Sequence, residues 1–143
     1  MPLTNHSSVL TSMKLLITFK ILLLITSLFE TITGFWIFID TNQLVTASAG
    51  ILFTITGFLL CYALVSNHLM LLSLIQVFTC SYILIFITII IISFYFALED
   101  HYLIGVYFAS LFFFVVQAIL MNEFIVIKLN RIDYQLISSD QQV

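Results

Sequence analysis

Residues 69–98 read LMLLSLIQVFTCSYILIFITIIIISFYFAL and contain no charged side chain. A helix needs about 20 apolar residues to cross the roughly 30 Å of hydrocarbon in a bilayer, so this run is long enough to span it. Three further apolar runs, residues 15–39, 44–65 and 102–129, also meet this length. With a mean hydropathy of +1.22 and only 8% charged residues, the composition leaves no water-soluble domain. The chain is predicted to lie in a lipid bilayer.

All four runs are predicted to be helices, although residues such as 88–92 (TIIII) favour strands in soluble proteins. Backbone amides find no water in lipid, and a helix satisfies them internally. A membrane strand would need only about 10 residues with an alternating pattern, which these runs do not have. The sequence therefore predicts an all-α fold, a single membrane domain of four transmembrane helices, followed by a short tail over residues 130–143.

The four basic residues indicate how the chain is oriented. Lys14 and Lys20 lie at the start of the first run, and Lys128 and Arg131 lie at the end of the fourth. Because basic residues favour the cytoplasmic side, both termini are predicted to be cytoplasmic. The aromatic residues at positions 36, 95, 102 and 107 would then form an interfacial belt at the other face. A net charge of −3 argues against a basic patch for nucleic acid or for anionic lipid.

Small side chains recur along the second run at spacings of three and four residues. This spacing places them on one helix face, where they allow close helix–helix contact that lipid-facing positions do not need. The fourth run carries a shorter version of the pattern. The predicted packing residues are Ala47, Gly50, Thr54, Gly57, Cys61, Gly105 and Ala109. Cys61 could instead be palmitoylated near the cytoplasmic boundary.

Several polar residues fall inside the predicted spans, where a charge is costly. At 1.5 Å per residue, Lys20 and Glu123 lie about 8 Å from the cytoplasmic ends of their spans, and Gln76 about 10 Å. We predict an inner polar layer of these three residues and Asn122, in which Lys20 and Glu123 form an ion pair. The alternative is that both charged side chains extend separately to the headgroups.

Glu30 lies near the middle of the first span, about 14 Å from its outer end, with no basic residue at that depth. Thr26, Thr33 and Gly34 share its helix face, which is therefore predicted to face the bundle. Thr54, Thr88 and Ser110 lie at comparable depths on the other helices. A carboxyl surrounded only by such hydroxyl groups, away from water, is expected to be mostly neutral at pH 7. It serves either as a hydrogen-bonded structural acid or as a proton or cation site. Gln117, in the middle of the fourth span, is predicted to hydrogen-bond between helices.

The chain resembles the tetraspanins in three stretches. Lys14, followed by an apolar span with Gly34-Phe35-Trp36 near its end, resembles the family's first helix. Residues 57–63 (GFLLCYA) and 66–72 (SNHLMLL) resemble the family's second helix, tight inner loop and third-helix start. Gln117 falls where fourth helices of the family carry an intramembrane Gln or Glu. The chain lacks the family's large extracellular loop, since the loop between the third and fourth helices is only about four residues, Glu99 to Tyr102. MARVEL-type four-span proteins, which share this topology, are the second choice.

The segment Tyr134-Gln135-Leu136-Ile137 follows the last span and reads Y-x-x-Φ, where Φ is a bulky apolar residue. It resembles a tyrosine sorting signal, which clathrin adaptors bind as an extended peptide with Tyr134 and Ile137 in two pockets. The alternative is that Tyr134 simply lies at the inner membrane interface.

These features favour a non-catalytic membrane protein that associates laterally with other membrane proteins, by homo-oligomerisation or otherwise. The resemblance and the tail together imply trafficking through endosomes, in a plasma, endosomal or lysosomal membrane. One alternative is a small proton-coupled transporter with Glu30 as its carrier site, and another is an accessory subunit of a larger membrane complex. No metal cluster, nucleophile–base motif or phosphate loop is recognisable, so neither an enzyme nor a cofactor is expected.

Overall fold

The computed structural model describes residues 3–40, 42, 44–96 and 101–142, in four helices. These are α1 Leu3–Asp40, α2 Leu44–Ser66, α3 Leu69–Phe96 and α4 His101–Asp140. All four are long and apolar enough to cross a membrane. The protein is thus an all-α integral membrane protein, as predicted. The predicted end of the third span at Leu98 and most of the loop after it lie outside the described residues.

Neighbouring helices pack in the cyclic order α1, α2, α3, α4 and back to α1 in the described part of the chain. The pairs α1–α2 and α3–α4 make the most extensive contacts. Large apolar side chains point outward on every helix, among them Phe58, Met70, Leu84 and Phe112. This arrangement suits a bundle whose outer surface contacts lipid rather than water.

The turn between α2 and α3 consists of Asn67 and His68 and is fixed by its own hydrogen bonds. Asn67 has a φ of 56°, the left-handed conformation that commonly ends a helix. The His68 amide donates to the Ala63 carbonyl at 3.0 Å, which closes α2, and His68 Nδ1 accepts from the Leu71 amide, which caps α3. We call the end of the bundle that carries this turn the turn end.

The first and fourth helices are longer than the sequence predicts. α1 begins at Leu3 rather than near residue 15, and α4 continues to Asp140, so most of the predicted tail is helical. Lys20 and Lys128 lie level with the turn, because both contact Asn67. At 1.5 Å per residue, α1 and α4 extend past the turn by about 25 Å and 18 Å. Residues from both extensions line one groove, so the two chain ends lie at the same end of the bundle.

The hydrophobic core is concentrated in the half of the bundle next to the turn end. Its fully enclosed side chains come from all four helices and include Leu23, Leu64, Leu72, Met121 and Phe124. Further from the turn, aromatic rings make contacts between the helices. Phe114 lies at the centre of this aromatic cluster, with ring centroids of Phe53, Tyr82 and Phe86 at 5.4, 5.5 and 5.6 Å.

The α1–α2 interface depends on glycine. A Cβ added at Gly50 would lie 2.7 Å from the Gly34 carbonyl oxygen, and one at Gly57 would lie 2.8 Å from the Ser27 carbonyl oxygen. The helix backbones therefore touch at these positions, as the small-residue pattern of α2 predicts. Thr54 belongs to the same interface, since its backbone amide would lie 2.5 Å from a Cβ on Gly34. Ala47 and Cys61, the ends of the pattern, are half-buried.

Gly105 and Ala109 on α4 make no such contact within the described part of the chain. A Cβ added at Gly105 would meet no described atom within 4 Å, and Ala109 is exposed on the outer surface. The spacing of small residues identifies a helix face, but it does not say whether that face meets a helix of the same chain.

Candidate functional site

Glu30 and Gln117 form a direct contact between α1 and α4 in the interior of the bundle. Glu30 is 3% exposed and Gln117 is fully buried, and Gln117 Nε2 donates to Glu30 Oε2 at 2.9 Å. The predicted interhelical role of Gln117 is therefore found, with Glu30 as its partner. Only hydroxyl groups were expected around Glu30 from the sequence. The structure shows an amide instead.

The hydroxyl groups expected around Glu30 satisfy themselves within their own helices. Thr54 donates to the Gly50 carbonyl, Thr88 to the Leu84 carbonyl and Ser110 to the Val106 carbonyl. Each bond links residues four positions apart, which is a common way for a hydroxyl to be satisfied inside a helix. These hydroxyl groups therefore do not donate to the Glu30 carboxyl, which accepts its hydrogen bond from Gln117.

Two oxygen atoms of this pair, Glu30 Oε1 and Gln117 Oε1, are buried without a hydrogen-bond partner. Buried polar atoms are nearly always paired, so the two unpaired acceptors need an explanation. A single proton on Glu30 Oε1 provides one, because the resulting hydroxyl can donate to Gln117 Oε1 while Gln117 Nε2 continues to donate to Glu30 Oε2. A neutral Glu30 would thus pair all four polar atoms of the two groups.

A second polar contact joins α2 to α3 near this pair. The Thr56 hydroxyl donates to the Leu52 carbonyl at 2.7 Å, so the Tyr82 hydroxyl, 2.9 Å away, is the donor to Thr56. This contact was not predicted from the sequence, and neither was the burial of Ser27 and Thr79. Threonine and tyrosine are common in apolar spans, and nothing in their spacing distinguished these from the exposed ones.

A groove of about 520 Å³ opens beside Glu30, between α1 and α4 in the half of the bundle away from the turn. Its walls are mostly aromatic and aliphatic, with contributions from Phe29, Phe53 and Phe113. Glu30, Thr33 and Ser110 are the polar residues that line it, and Ala109 lies on its wall. The groove therefore combines apolar walls with one carboxyl group.

The polar layer predicted at the turn end is divided into two separate contacts. Gln76 Nε2 donates to Asn122 Oδ1 at 3.4 Å, a long hydrogen bond between α3 and α4. The predicted ion pair between Lys20 and Glu123 is not formed between these two described side chains. Instead, the Lys20 ammonium donates to Asn67 Oδ1 at 3.3 Å.

The position of Glu123 on its helix explains this difference. Met121 and Phe124 face the core, whereas Glu123 is exposed on the outer side of α4. Equal depth in the bilayer therefore did not place Glu123 on the face that Lys20 approaches. Lys128, which the sequence analysis used only for orientation, reaches the same Asn67 oxygen at 2.7 Å. The sequence did contain a signal for this contact, because Asn is one of the residues that commonly end a helix in the left-handed conformation.

The predicted sorting segment is helical in the structure. Tyr134 and Ile137 lie on α4 with 75% and 58% of their surfaces exposed. An adaptor that binds this segment as an extended peptide would have to unwind the last turns of the helix. The two cysteines are both free, Cys61 half-buried and Cys80 exposed.

Comparison of the chain with family models, with curated protein sequences and with solved structures finds no match.

Proposed function

We propose that this protein is a non-catalytic, tetraspanin-like organiser or adaptor that associates laterally with other membrane proteins. The supporting observation is the groove between α1 and α4, next to the outward-facing small residues Gly105 and Ala109. In a membrane, close packing rather than hydrophobicity drives helices together, so an exposed notch with apolar walls favours a helix as its occupant.

The face of α4 beside the groove has the form of a helix-docking surface. Gly105, Ala109 and Phe112 follow one another at spacings of four and three residues, so they share one side of the helix. All three are exposed, Phe112 to 72%. Two positions without bulk beside a projecting ring would let a second helix approach closely and pack against the phenylalanine. We therefore assign this surface to a transmembrane helix that presents small side chains.

Site-specific photo-cross-linking in native membranes tests this proposal. A photoreactive phenylalanine analogue at position 112 is expected to cross-link a membrane protein, whereas the same analogue at Leu84 is not. Leu84 on α3 is 66% exposed and offers a matched lipid-facing control. The cross-link at position 112 should be lost in Gly105→Trp and Ala109→Trp variants, because the indole ring fills the notch.

Cross-linking to lipid alone at position 112, or equal protein capture at both positions, would contradict the assignment. A cross-link to a second copy of this chain would identify the occupant as a homo-oligomer and leave lateral assembly standing. The tryptophan variants must also retain the thermal stability of the wild-type protein. Because a Cβ added at position 105 would meet no described atom within 4 Å, Gly105→Trp is expected to do so.

A proton-coupled transporter is the second candidate, and the position of Glu30 on the groove wall favours it. A carboxyl that can gain and lose a proton beside an apolar groove could bind a lipophilic cation in exchange for a proton. Glu30→Gln separates the two candidates. The transporter requires titration at this position and would lose pH-dependent binding of such a cation, whereas lateral assembly needs only the hydrogen bonds to Gln117 and should be unchanged.

Endosomal trafficking is the remaining part of the proposal, and it depends on Tyr134 and Ile137. Their exposure leaves both accessible to a clathrin adaptor once the helix end unwinds. Replacing Tyr134 by Ala is expected to shift the protein from endosomal or lysosomal membranes toward the plasma membrane. Tyr134→Phe, which keeps the ring for interfacial contacts but lacks the hydroxyl, is the matched control. An unchanged distribution of Tyr134→Ala would argue against the signal.

A further inference from the structure

Two lysine side chains from different helices converge on one uncharged oxygen atom at the turn end. The ammonium groups of Lys20 on α1 and Lys128 on α4 lie 3.3 Å and 2.7 Å from Asn67 Oδ1. They are therefore within about 6 Å of each other, and their charges repel. An amide oxygen can accept their hydrogen bonds but cannot neutralise two positive charges. The amide therefore leaves the two positive charges uncompensated.

No carboxylate completes it within the part of the chain that the structure describes. Neither ammonium forms an ion pair there. The acidic residues nearest in sequence to Lys128 are Glu123 and Asp133, five positions away on either side, and both are exposed. Arg131 adds a third positive charge one helical turn beyond Lys128, on the same side of α4. The structure thus gathers a basic patch that a net charge of −3 had argued against.

The lysine heads are accessible while their positions are restrained. Both lysines are half-buried, and their ammonium groups reach the exposed Asn67 at the surface of the turn. The Lys128 ammonium also lies 5.5 Å from the centre of the Phe124 ring, a cation–π contact that holds it near the core. An anion arriving at the turn would therefore meet two pre-positioned donors.

The level of the patch matches that of lipid phosphates. Asn67 and His68 form the polar boundary where the apolar surfaces of α2 and α3 end. In a spanning bundle such a boundary lies at the headgroup layer. Lysine and arginine near that layer attract anionic lipids, and hydrogen bonds from ammonium to phosphate oxygen are strengthened by charge.

We propose that Lys20, Lys128 and Arg131, grouped around Asn67, bind the phosphate group of an anionic membrane lipid. A phosphate oxygen would replace Asn67 Oδ1 as the shared acceptor and neutralise the two ammonium groups. The rival explanation is that the lysines only complement the negative C-terminal end of the α2 dipole. This proposal does not depend on lateral assembly.

Native mass spectrometry of the full chain in detergent, with added phosphatidylserine or phosphatidylcholine, tests the proposal. Wild-type protein is expected to bind phosphatidylserine about fivefold more tightly than phosphatidylcholine, and Lys20→Gln or Lys128→Gln should abolish most of this preference. Lys14→Gln is the matched control, since Lys14 is exposed at the same end of α1. Millimolar inorganic phosphate should not displace the lipid; displacement would identify free phosphate as the ligand and overturn the lipid assignment.

Asn67→Gly separates ligand binding from a purely structural role. Glycine adopts the left-handed conformation of residue 67 freely, and the substitution removes the side chain that carries the amide oxygen. If the lysines bind lipid, this variant keeps the preference for phosphatidylserine, because the phosphate rather than the amide is the acceptor. Equal binding of both lipids by the wild-type protein would overturn the proposal. So would a loss in Lys14→Gln as large as in Lys20→Gln.

Discussion

The contact between Glu30 and Gln117 leads to a prediction that separates a neutral carboxyl from a charged one. If a proton on Glu30 completes the pair, Glu30→Gln should be tolerated, because an amide supplies the same donor and acceptor to Gln117. We expect its free energy of unfolding to lie within about 0.5 kcal/mol of the wild-type value. Replacing either residue by leucine should be costly, because each single change leaves a buried polar partner unpaired.

The magnitude follows from the burial of both side chains. Glu30 is 3% exposed and Gln117 is fully buried, so neither Gln117→Leu nor Glu30→Leu leaves its partner able to reach water. An unpaired buried group costs about 1–3 kcal/mol, whereas hydrogen bonds between membrane helices average about 0.6 kcal/mol. We expect about 1–2 kcal/mol for each single variant, and clearly less than their sum for the double variant, which removes both polar groups.

Steric trapping in bicelles would measure these free energies of unfolding in a bilayer-like setting. Two results would refute the reasoning. The first is a Glu30→Gln variant as destabilising as Glu30→Leu, which would mean that the site holds a charge. The second is additive effects of the two leucine variants, which would mean that the contact at 2.9 Å contributes nothing between α1 and α4.

Three further predictions concern stability and use the same measurement. Gly50→Ala should cost about 1–3 kcal/mol, because its Cβ would press against the α1 backbone, whereas Gly105→Ala should be neutral or slightly stabilising. If Gly50→Ala is neutral, the helices are less closely packed than described. Tyr82→Phe should cost about 0.5–1.5 kcal/mol because it loses the hydrogen bond to Thr56. If the variant is as stable as the wild-type protein, that hydrogen bond does not contribute to stability. Asn67→Ala should cost about 1 kcal/mol more than Asn67→Gly, because alanine resists the left-handed conformation, and equal stability would contradict this turn geometry.

The four spans and their approximate bounds could be predicted because bilayer thickness sets a minimum length that composition reveals. The α2 side of the α1–α2 contact was predictable, because small residues in a membrane helix favour close contact with another helix. The identity of the partner helix was not. Helical continuation over residues 3–14 and 130–140 was not predictable from hydropathy, because those segments are polar. They are helical as extensions of spanning segments that already supply the nucleus for helix formation.

The polar contacts were predicted less well, for a geometric reason. Counting residues gives the depth of a side chain in the bilayer but not the direction in which it points. Depth alone paired Lys20 with Glu123, which faces outward, and overlooked Asn67, which faces both lysines. The same limitation left Glu30 among hydroxyl groups when its partner was Gln117.

The unbroken helix from His101 to Asp140 has a mechanical consequence if an adaptor binds its last residues as an extended peptide. Helical backbone rises about 1.5 Å per residue and extended backbone about 3.3 Å, so straightening residues 131–140 would lengthen the chain by about 18 Å. Capture of the segment would thus push the carboxyl terminus outward by more than half the thickness of the hydrocarbon layer. The distance between a dye at the terminus and the lipid surface would therefore show whether an adaptor is bound.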